Sequence, residues 1–206
     1  GALKKLRAEN KSHTVAILGG EYRGLRHHLW ERFARAYGTP NYIRLLDRSM
    51  ERPALSHELM QNISKPLGHD FFNARLVLSF GCDWLEAWGS PVYQFRAYGH
   101  LRAGGAGPKP KIYHVDSRYS VTAAKADQWI PINPGKEAVL ALGLAHVIIK
   151  EGLYDEEFIG RHTFGFEDWQ DETGGTYRGF KSVVLREYDP LSVARATGVP
   201  LNVIFN

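Results

Sequence analysis

Cysteine is almost missing from this chain of 206 residues, because Cys82 is the single one. One thiol cannot form an internal disulfide, and it cannot alone supply a Cys-rich zinc site or an iron–sulfur cluster. Since an unpaired cysteine is among the residue types most often buried, we expect Cys82 to be a buried, inert thiol. Any iron–sulfur cluster would need cysteines from outside this sequence.

Long apolar runs are missing as well. No run approaches the roughly 18 apolar residues of a transmembrane helix, so none is predicted. The first residues lack the apolar core of a signal peptide, and no initiator Met is present. Residues 201–206 stop without a helix cap or a polar tail. We therefore expect both ends of the sequence to lie inside a longer protein.

Runs of one charge are also absent. The net charge is only +4, and like charges never extend beyond a few neighbours, so no nucleic-acid-binding tail is predicted. A modest basic bias also suits a protein that holds a phosphorylated cofactor, so charge alone decides little. A hydrophobic content of 44% is ordinary for a soluble globular protein, and the length suits one domain or one and a half.

Several motifs of catalytic and cofactor-binding proteins are missing. No G-x-G-x-x-G, P-loop or H-E-x-x-H pattern occurs. The glycine turn at residues 19–24 could hold an anion at a helix start, but a simple connecting turn is the favoured interpretation. His27 and His28 are adjacent and would point about 100° apart on a helix, a poor arrangement for binding one metal. His57 and His69 are isolated, which is typical of structural or surface histidines.

The pattern that is present alternates strands with helices. The predicted strands are residues 14–18, 75–80, 112–115 and 128–132. The predicted helices are residues 24–37, 51–59, 92–101, 122–126, 136–150, 155–162 and 191–198. Residues 42–49 and 164–180 show no clear period. This alternation predicts an α/β fold: Rossmann-like layers with a mostly parallel sheet and flanking helices.

Polar residues follow three of these strands, at the point where each ends. They are Gly81, Cys82 and Asp83 after the first, Asp116, Ser117 and Arg118 after the second, and Asn133, Pro134, Gly135 and Glu137 after the third. In an open parallel sheet, ligands bind beyond the carboxyl ends of the strands. This placement predicts a nucleotide site, and the competing interpretation is that each is a turn or cap residue, with Asp116 and Arg118 paired.

The order of these motifs resembles a known family. Residues 114–159, from HVDSR through the Thr-Ala, Ala-Asp and Pro-Gly pairs to GLYDEEFI, are similar to the molybdopterin oxidoreductases of the dimethyl sulfoxide reductase and formate dehydrogenase group. Residues 38–41 upstream and 196–199 downstream fit the same family pattern. The resemblance covers nearly the whole chain in the right order.

The resemblance implies a place for each segment. Residues 1–44 would end the second α/β domain of a large subunit, and residues 45–206 would form most of the third, truncated at its carboxyl end. Each such domain holds one molybdopterin guanine dinucleotide in the family. Carried over by position, the strand-end residues named above would contact the dinucleotide, with Asp116 accepting hydrogen bonds from it and Arg118 lying beside phosphates.

The metal ligand departs from the commonest family pattern. The window where the family binds molybdenum contains no cysteine here, but it contains Asp47 and Ser49. Ser49 lies nearest the expected position and Asp47 is the alternative, since Ser or Asp ligation occurs in the family. A surface-loop serine remains the competing interpretation, because some relatives keep the fold without the metal.

The function that the resemblance implies is two-electron redox chemistry in anaerobic respiration. The cofactor would be the bis-molybdopterin guanine dinucleotide with molybdenum, and an iron–sulfur cluster is expected elsewhere in the full-length chain. The expected partners are an iron–sulfur electron-transfer subunit and a membrane-anchor quinone subunit, at a periplasmic or membrane-associated location. The respiratory polysulfide, thiosulfate and tetrathionate reductases, or the molybdopterin-like subunits of quinone reductase complexes, look most similar.

Two alternatives remain open at this point. One is a non-catalytic, molybdopterin-like subunit of a membrane-associated quinone reductase complex that lacks the metal. The other is an unrelated Rossmann-like nucleotide binder, which the missing G-x-G-x-x-G motif disfavours.

Overall fold

The computed structural model describes residues 1–20, 25–44, 48–63, 65, 67–86, 88–103 and 108–205, and for residues 48–52 it describes the backbone alone. The chain divides into two compact units, residues 1–69 and 70–206. The assignment of residues 1–44 and 45–206 to successive domains of a larger subunit stays a prediction, since it concerns how this chain joins the rest of a longer protein.

The first unit holds a two-stranded parallel sheet with helices. In chain order its elements are α1 (Ala2–Ala8), a 3-10 helix (Ser12–Thr14), β1 (Ala16–Gly19), α2 (Leu25–Tyr37), β2 (Asn41–Arg44) and α3 (Arg48–Gln61). Strand β2 was not predicted from the sequence, because four residues are too few to show a hydrophobic period. Parallel pairing with β1 forms this strand, and the Asn41 amide donates to the carbonyl of His13 at 2.6 Å.

The second unit is built on a three-stranded parallel sheet. Its elements are β3 (Leu76–Phe80), α4 (Pro91–Ala103), β4 (Lys111–Asp116), α5 (Val121–Lys125), β5 (Gln128–Pro131), α6 (Glu137–Lys150), α7 (Glu156–His162), β6 (Trp169–Gln170), β7 (Thr176–Tyr177), α8 (Phe180–Glu187), α9 (Pro190–Thr197) and α10 (Leu201–Phe205). The strand order is β3-β4-β5, with β4 in the centre. Parallel sheets flanked by helices confirm the predicted α/β class.

Local signals in the sequence set the helix ends of this unit. The side chain of Asp155 caps α7 and that of Asp189 caps α9, each accepting backbone N–H groups of the first turn. Gly198 follows α9 in the left-handed conformation, with φ of 76°, which glycine adopts without a Cβ penalty. The two helices lie within one residue of the predicted ranges 155–162 and 191–198, because capping depends on neighbours in the chain.

The main core lies between the sheet and the carboxyl-terminal helices. Its buried residues are Val115, Ile130, Ile132, Leu140, Val193, Val199 and Ile204. Helix α6 packs against α8, α9 and α10. A second cluster, which includes Val77, Trp84 and Ile112, packs at β3 and β4. None of the helices among the described residues is long and apolar enough to cross a bilayer.

Residues 164–180, an aromatic stretch with no hydrophobic period, contain a small hairpin formed by β6 and β7. The Trp169 and Tyr177 rings stack at 4.4 Å across it. Asp171 closes the turn by accepting hydrogen bonds from the hydroxyl and N–H of Thr173, the N–H of Gly175 and the Tyr177 hydroxyl. These hydrogen bonds lower the pKa of Asp171 to about 2, and the bond from the Thr173 hydroxyl has the largest effect.

Candidate functional site

The candidate site lies where the three parallel strands of the second unit end. Strand β3 ends at Phe80, β4 at Asp116 and β5 at Pro131. In register, Phe80 is opposite Val115, and Asp116 is opposite Pro131. The loops that follow therefore start from the same edge of the sheet, which we call the carboxyl edge. The ten residues predicted as cofactor contacts lie on these loops, at the start of the helix that follows the third loop, or, for Asp116, at the last residue of β4.

An ion-pair group joins the first loop to the second. The Arg118 guanidinium Nη2 donates to Oδ2 of Asp83 and, at 3.1 Å, to Oε2 of Glu86. Hydrogen bonding to Asp83, with the negative charges of Asp83 and Glu86, raises the pKa of Arg118 above its usual value. The Arg118 side chain is still 61% exposed. The two carboxylates thus orient a guanidinium that remains open to a ligand.

Gly81 brings the first loop close to the third. Its N–H donates to the carbonyl of Val115 at 2.8 Å, and its φ of +55° lies in the left-handed region. A Cβ built on Gly81 would lie 4.0 Å from Cγ of Glu137, the first residue of α6. Glycine is needed for the conformation, not for space. The start of α6 therefore lies beside the loop that follows β3.

Asp116 is engaged within its own loop. It is only 8% exposed, and its Oδ1 accepts the backbone N–H of Arg118 at 2.9 Å. Its Oδ2 lies 3.3 Å from Nε2 of His114. The sequence interpretation of a pair between the side chains of Asp116 and Arg118 is not what the structure shows, because the Arg118 side chain turns to Asp83 and Glu86. Asp116 shapes the loop that presents Arg118.

Sequence reasoning missed the buried polar group beneath this loop. His114 is fully buried, with Nδ1 at 3.1 Å from Oγ of Ser79 and Nε2 at 3.4 Å from Oγ of Ser120. Ser120 also caps α5 by accepting the N–H of Ala123. The signal was available: a histidine interrupts the apolar alternation of β4, and a serine interrupts β3.

The third loop is tied to helix α9. The N–H of Asn133 donates to the carbonyl of Thr197 at 2.8 Å, and its side-chain amide donates to the carbonyl of Ala196 at 3.2 Å. Pro134 is exposed, and Gly135 has φ of +75° with open space around it. Lys136 precedes α6 without a side-chain cap, so the first N–H groups of this 14-residue helix face the loop region. Such a helix start favours an anion.

Cys82 is half-buried in the first loop, next to Asp83. Burial, reinforced by the negative charge of Asp83, raises the pKa of the Cys82 thiol to about 11. The thiol is therefore protonated at neutral pH, which fits the prediction of an inert cysteine, whereas the full burial that was predicted is not what the structure shows.

A reactivity measurement tests this state of Cys82. A rise of two pKa units lowers the thiolate fraction about 100-fold, so we expect iodoacetamide at pH 8 to alkylate the native chain about 100-fold more slowly than the urea-unfolded chain. Mass spectrometry over time gives both rates. Equal rates in the two states would contradict the environment described here.

The side chains of the two candidate molybdenum ligands lie outside the part of the chain that the structure describes. Asp47 lies outside the described residues. Ser49 lies in α3, whose backbone is described at that position while the side chain is not. Their predicted roles stay predictions.

The donors of the carboxyl edge suit the dinucleotide part of a cofactor. Arg118 and the exposed hydroxyl of Ser117 are donors on the second loop, and the start of α6 adds backbone N–H groups. Charge-assisted and backbone donors of this kind bind phosphate oxygens. The carboxylates nearby are acceptors that suit hydroxyl groups of a ribose.

Comparison with known proteins gives a consistent result. The chain is 27% identical, over 216 residues, to the molybdopterin-containing subunit of an arsenate respiratory reductase from Shewanella sp. (strain ANA-3), covering 94% of this chain and 23% of that protein. It is 31% identical, over 150 residues, to the molybdopterin-binding-like subunit of a menaquinone reductase from Nitratidesulfovibrio vulgaris (strain Hildenborough), covering 73% of this chain and 21% of that one.

Among solved structures, acetylene hydratase from Pelobacter acetylenicus matches 98% of this chain and 25% of its own, with a TM-score of 0.61 and 27% identity. The chain thus spans about a quarter of the length of these relatives. The family model for molybdopterin oxidoreductases matches residues 1–187, most of the sequence. On this match, and in agreement with the resemblance of its motifs, the chain belongs to the molybdopterin oxidoreductase family.

Proposed function

We propose that this chain is part of the large subunit of a molybdopterin oxidoreductase, and that its carboxyl edge binds the guanine dinucleotide end of a bis-molybdopterin guanine dinucleotide. The observation that carries the proposal is the ion-pair group of Arg118 with Asp83 and Glu86. It joins two strand-end loops of one parallel sheet and leaves a guanidinium exposed where such sheets bind ligands.

Each loop has a distinct task in this proposal. Arg118 and Ser117 donate hydrogen bonds to phosphate oxygens, and the start of α6 provides further N–H groups. Asp83 and Glu86 hold the guanidinium in place before the ligand arrives, which reduces the entropy lost on binding. Asp116 fixes the backbone of the loop and presents its remaining lone pairs to ribose hydroxyls. Gly81 and Gly135 supply the left-handed turns.

The chemistry of the reaction belongs to the cofactor. When bound, the molybdenum–pterin group supplies two-electron exchange with a substrate. The residues of this chain bind and orient the dinucleotide end, and they neutralise its phosphate charge. Ser49, with Asp47 as the alternative, is the proposed protein ligand of the metal.

The longer protein that we propose contains an iron–sulfur cluster in a part outside this sequence. It works in anaerobic respiration with an iron–sulfur electron-transfer subunit and a membrane-anchor quinone subunit, at a periplasmic or membrane-associated location. Residues 1–44 end its second domain and residues 45–206 form most of its third. The printed description of the Shewanella relative, a subunit of a respiratory reductase, supports this proposal.

A second function is favoured by one observation. The relative from Nitratidesulfovibrio vulgaris is described as a molybdopterin-binding-like subunit of a menaquinone reductase, and the window around Asp47 and Ser49, where the family binds molybdenum, contains no cysteine in this chain. A non-catalytic subunit of a quinone reductase complex is therefore the alternative. Elemental analysis of the full-length protein separates the two: about one molybdenum per chain supports the oxidoreductase, whereas a folded protein without molybdenum supports the alternative.

Binding of guanosine diphosphate tests the dinucleotide site. Isothermal titration calorimetry of the purified chain should detect binding of this probe, and Arg118→Ala should weaken it by about ten- to a hundredfold, because charge-assisted hydrogen bonds to phosphate are lost. Adenosine diphosphate, titrated in parallel, reports whether the base contributes to affinity.

Arg161→Ala is the matched control. Arg161 pairs with Glu157 one turn away on α7 and has no place in the carboxyl edge, so its removal should leave affinity unchanged. Circular dichroism establishes that both variants are folded. If the Arg118 variant binds the probe as tightly as the Arg161 control and the parent, or if the parent does not bind it, the site assignment is wrong.

A further inference from the structure

A compact group of metal-ligating side chains lies under the carboxyl edge. Asp83, His114 and Asp116, which we call the imidazole–carboxylate cluster, each offer one nitrogen or oxygen, and these three atoms lie within 4.8 Å of one another. His114 and Asp116 are buried, and Asp83 is partly buried. The dinucleotide proposal uses the outward-facing Arg118 and Ser117, Oδ2 of Asp83 and Oδ1 of Asp116. It leaves Nε2 of His114, Oδ2 of Asp116 and Oδ1 of Asp83 unexplained.

The second heteroatom of each side chain in the cluster is already held by a hydrogen bond. Oδ2 of Asp83 accepts from the Arg118 guanidinium, and Oδ1 of Asp116 accepts from the Arg118 backbone N–H. Nδ1 of His114 lies 3.1 Å from the Ser79 hydroxyl. Ligands of protein-bound metals are oriented in this way, with the outer atom hydrogen-bonded and the inner atom on the ion.

The hydrogen bonds fix which ring nitrogen of His114 carries a proton. The Ser79 hydroxyl donates to the carbonyl of Cys82 at 3.1 Å, so its oxygen is left to accept from Nδ1–H of His114. In the neutral ring, the lone pair of Nε2 then lies 3.3 Å from Oδ2 of Asp116. The Ser120 hydroxyl, 3.4 Å from Nε2, is too distant to be a strong donor to this lone pair, so the nitrogen and the carboxylate oxygen still favour a positive charge between them.

A proton would satisfy only part of the cluster. An imidazolium could donate from Nε2 to Asp116, yet Oδ1 of Asp83 would stay buried and without a hydrogen-bond partner among the residues that the structure describes. A buried carboxylate oxygen without a partner is costly. One divalent cation would satisfy the nitrogen and both oxygens together.

We propose that Nε2 of His114, Oδ2 of Asp116 and Oδ1 of Asp83 bind a divalent transition-metal ion of the zinc type. Bonds of about 2.0–2.1 Å in a tetrahedron place neighbouring ligand atoms roughly 3.3–3.4 Å apart, and the nitrogen–oxygen distance here is 3.3 Å. An imidazole ligand and only two carboxylates disfavour Mg²⁺ and Ca²⁺, which prefer oxygen and more ligands. The fourth position is left for water or an anion.

A second group of metal-ligating side chains must be removed before metal binding to the cluster is measured. His27, His28 and Glu31 in the first unit also bring ligand atoms within 4.8 Å of one another, with the two rings 5.4 Å apart. Their ligand atoms therefore come close together even though the two residues are adjacent in the chain. That group is more exposed, and Glu31 already pairs with Arg35 at 2.7 Å. All tests use a chain carrying His27→Gln and His28→Gln.

Cobalt titration tests the cluster directly. The background chain, stripped with a chelator, should bind one equivalent of Co²⁺ and develop the visible absorption of a tetrahedral ion, and Zn²⁺ should displace it. Asp83→Asn and His114→Gln should each weaken Co²⁺ binding at least about 100-fold. His146→Gln is the control, because His146 is also buried but bonds to the carbonyl of Val184 at 3.3 Å.

The two variants distinguish loss of the metal site from failure to fold. Asp83 is partly exposed, so Asp83→Asn gives a folded protein even where His114→Gln does not. The proposal is overturned when the background chain binds no equivalent of Co²⁺, or when Asp83→Asn binds it as tightly as the background. Titration of guanosine diphosphate with chelator present keeps the dinucleotide proposal independent of this result.

Discussion

Replacing Gly179 with alanine is expected to lower the free energy of unfolding by about 2–3 kcal/mol, or the melting temperature by roughly 5–10 °C. Gly179 immediately precedes α8 and is buried. An added Cβ would lie 2.3 Å from the backbone carbon of Glu167 and 2.4 Å from the carbonyl oxygen of Phe166. These are backbone atoms, so no side chain can rotate away and the segments themselves must separate.

The separation would break specific hydrogen bonds. The N–H groups of Phe180 and Lys181 donate to the carbonyls of Gly165 and Phe166, and the Gly179 N–H donates to Asp168 at 2.7 Å. Thermal and urea unfolding measure the loss. Gly160→Ala is the matched control: this glycine is exposed within α7 and open on all sides, so alanine there should stabilise by roughly 0.5–1 kcal/mol. A Gly179→Ala variant as stable as the parent would contradict the packing described.

The pair formed by Gly143 and Val193 is expected to show strong coupling. A Cβ on Gly143 in α6 would lie 2.7 Å from Cγ1 and 2.9 Å from Cγ2 of Val193 in α9. Val193 is fully buried and β-branched, so it cannot turn aside. Overpacking costs about 1–3 kcal/mol and the helix gains about 1 kcal/mol from alanine, which leaves Gly143→Ala destabilising by up to about 2 kcal/mol.

A double-mutant cycle measures this coupling. Val193→Ala alone should cost about 2 kcal/mol through lost burial and a cavity. The double variant should then be less destabilised than the sum of the singles by about 1 kcal/mol or more, because the new methyl group fills the space that valine vacates. Additive effects within about 0.3 kcal/mol would show that the two helices do not meet at this point.

This helix contact matters for the candidate site. Helix α6 begins at Glu137 beside Gly81, and α9 ends where Asn133 receives its backbone partners. Both sides of the third loop are therefore held by the packing of α6 on α9. We expect destabilised Gly143 variants to lose affinity for guanosine diphosphate together with stability.

Elements with local signals were predictable from the sequence. The strands of the larger unit and helix α6 follow from apolar period and length, and the ends of α7 and α9 follow from Asp155, Asp189 and Gly198. Strand β2 and the β6–β7 hairpin were not predictable, because they are two to four residues long and are formed by pairing with a partner strand. Pairing between segments leaves no period in the sequence.

The candidate site was also predictable only in part. The sequence placed its candidate residues at strand ends, and parallel strands bring those ends to one edge. It did not predict that Arg118 turns to Asp83 and Glu86, nor that His114 lies beneath Asp116. These contacts join residues that are 2 to 35 positions apart through the register of β3 with β4.

The sequence by itself determined the α/β class, the order of the family motifs and the positions of the polar residues along the chain. Those properties depend on local period, capping and glycine, which neighbouring residues set. Only the tertiary structure decided which polar groups meet, which atoms are already hydrogen-bonded and that Oδ1 of Asp83 has no partner among the described residues. The reason is physical: hydrogen bonds act over about 3 Å, and only the folded sheet sets distances of that size between separate loops.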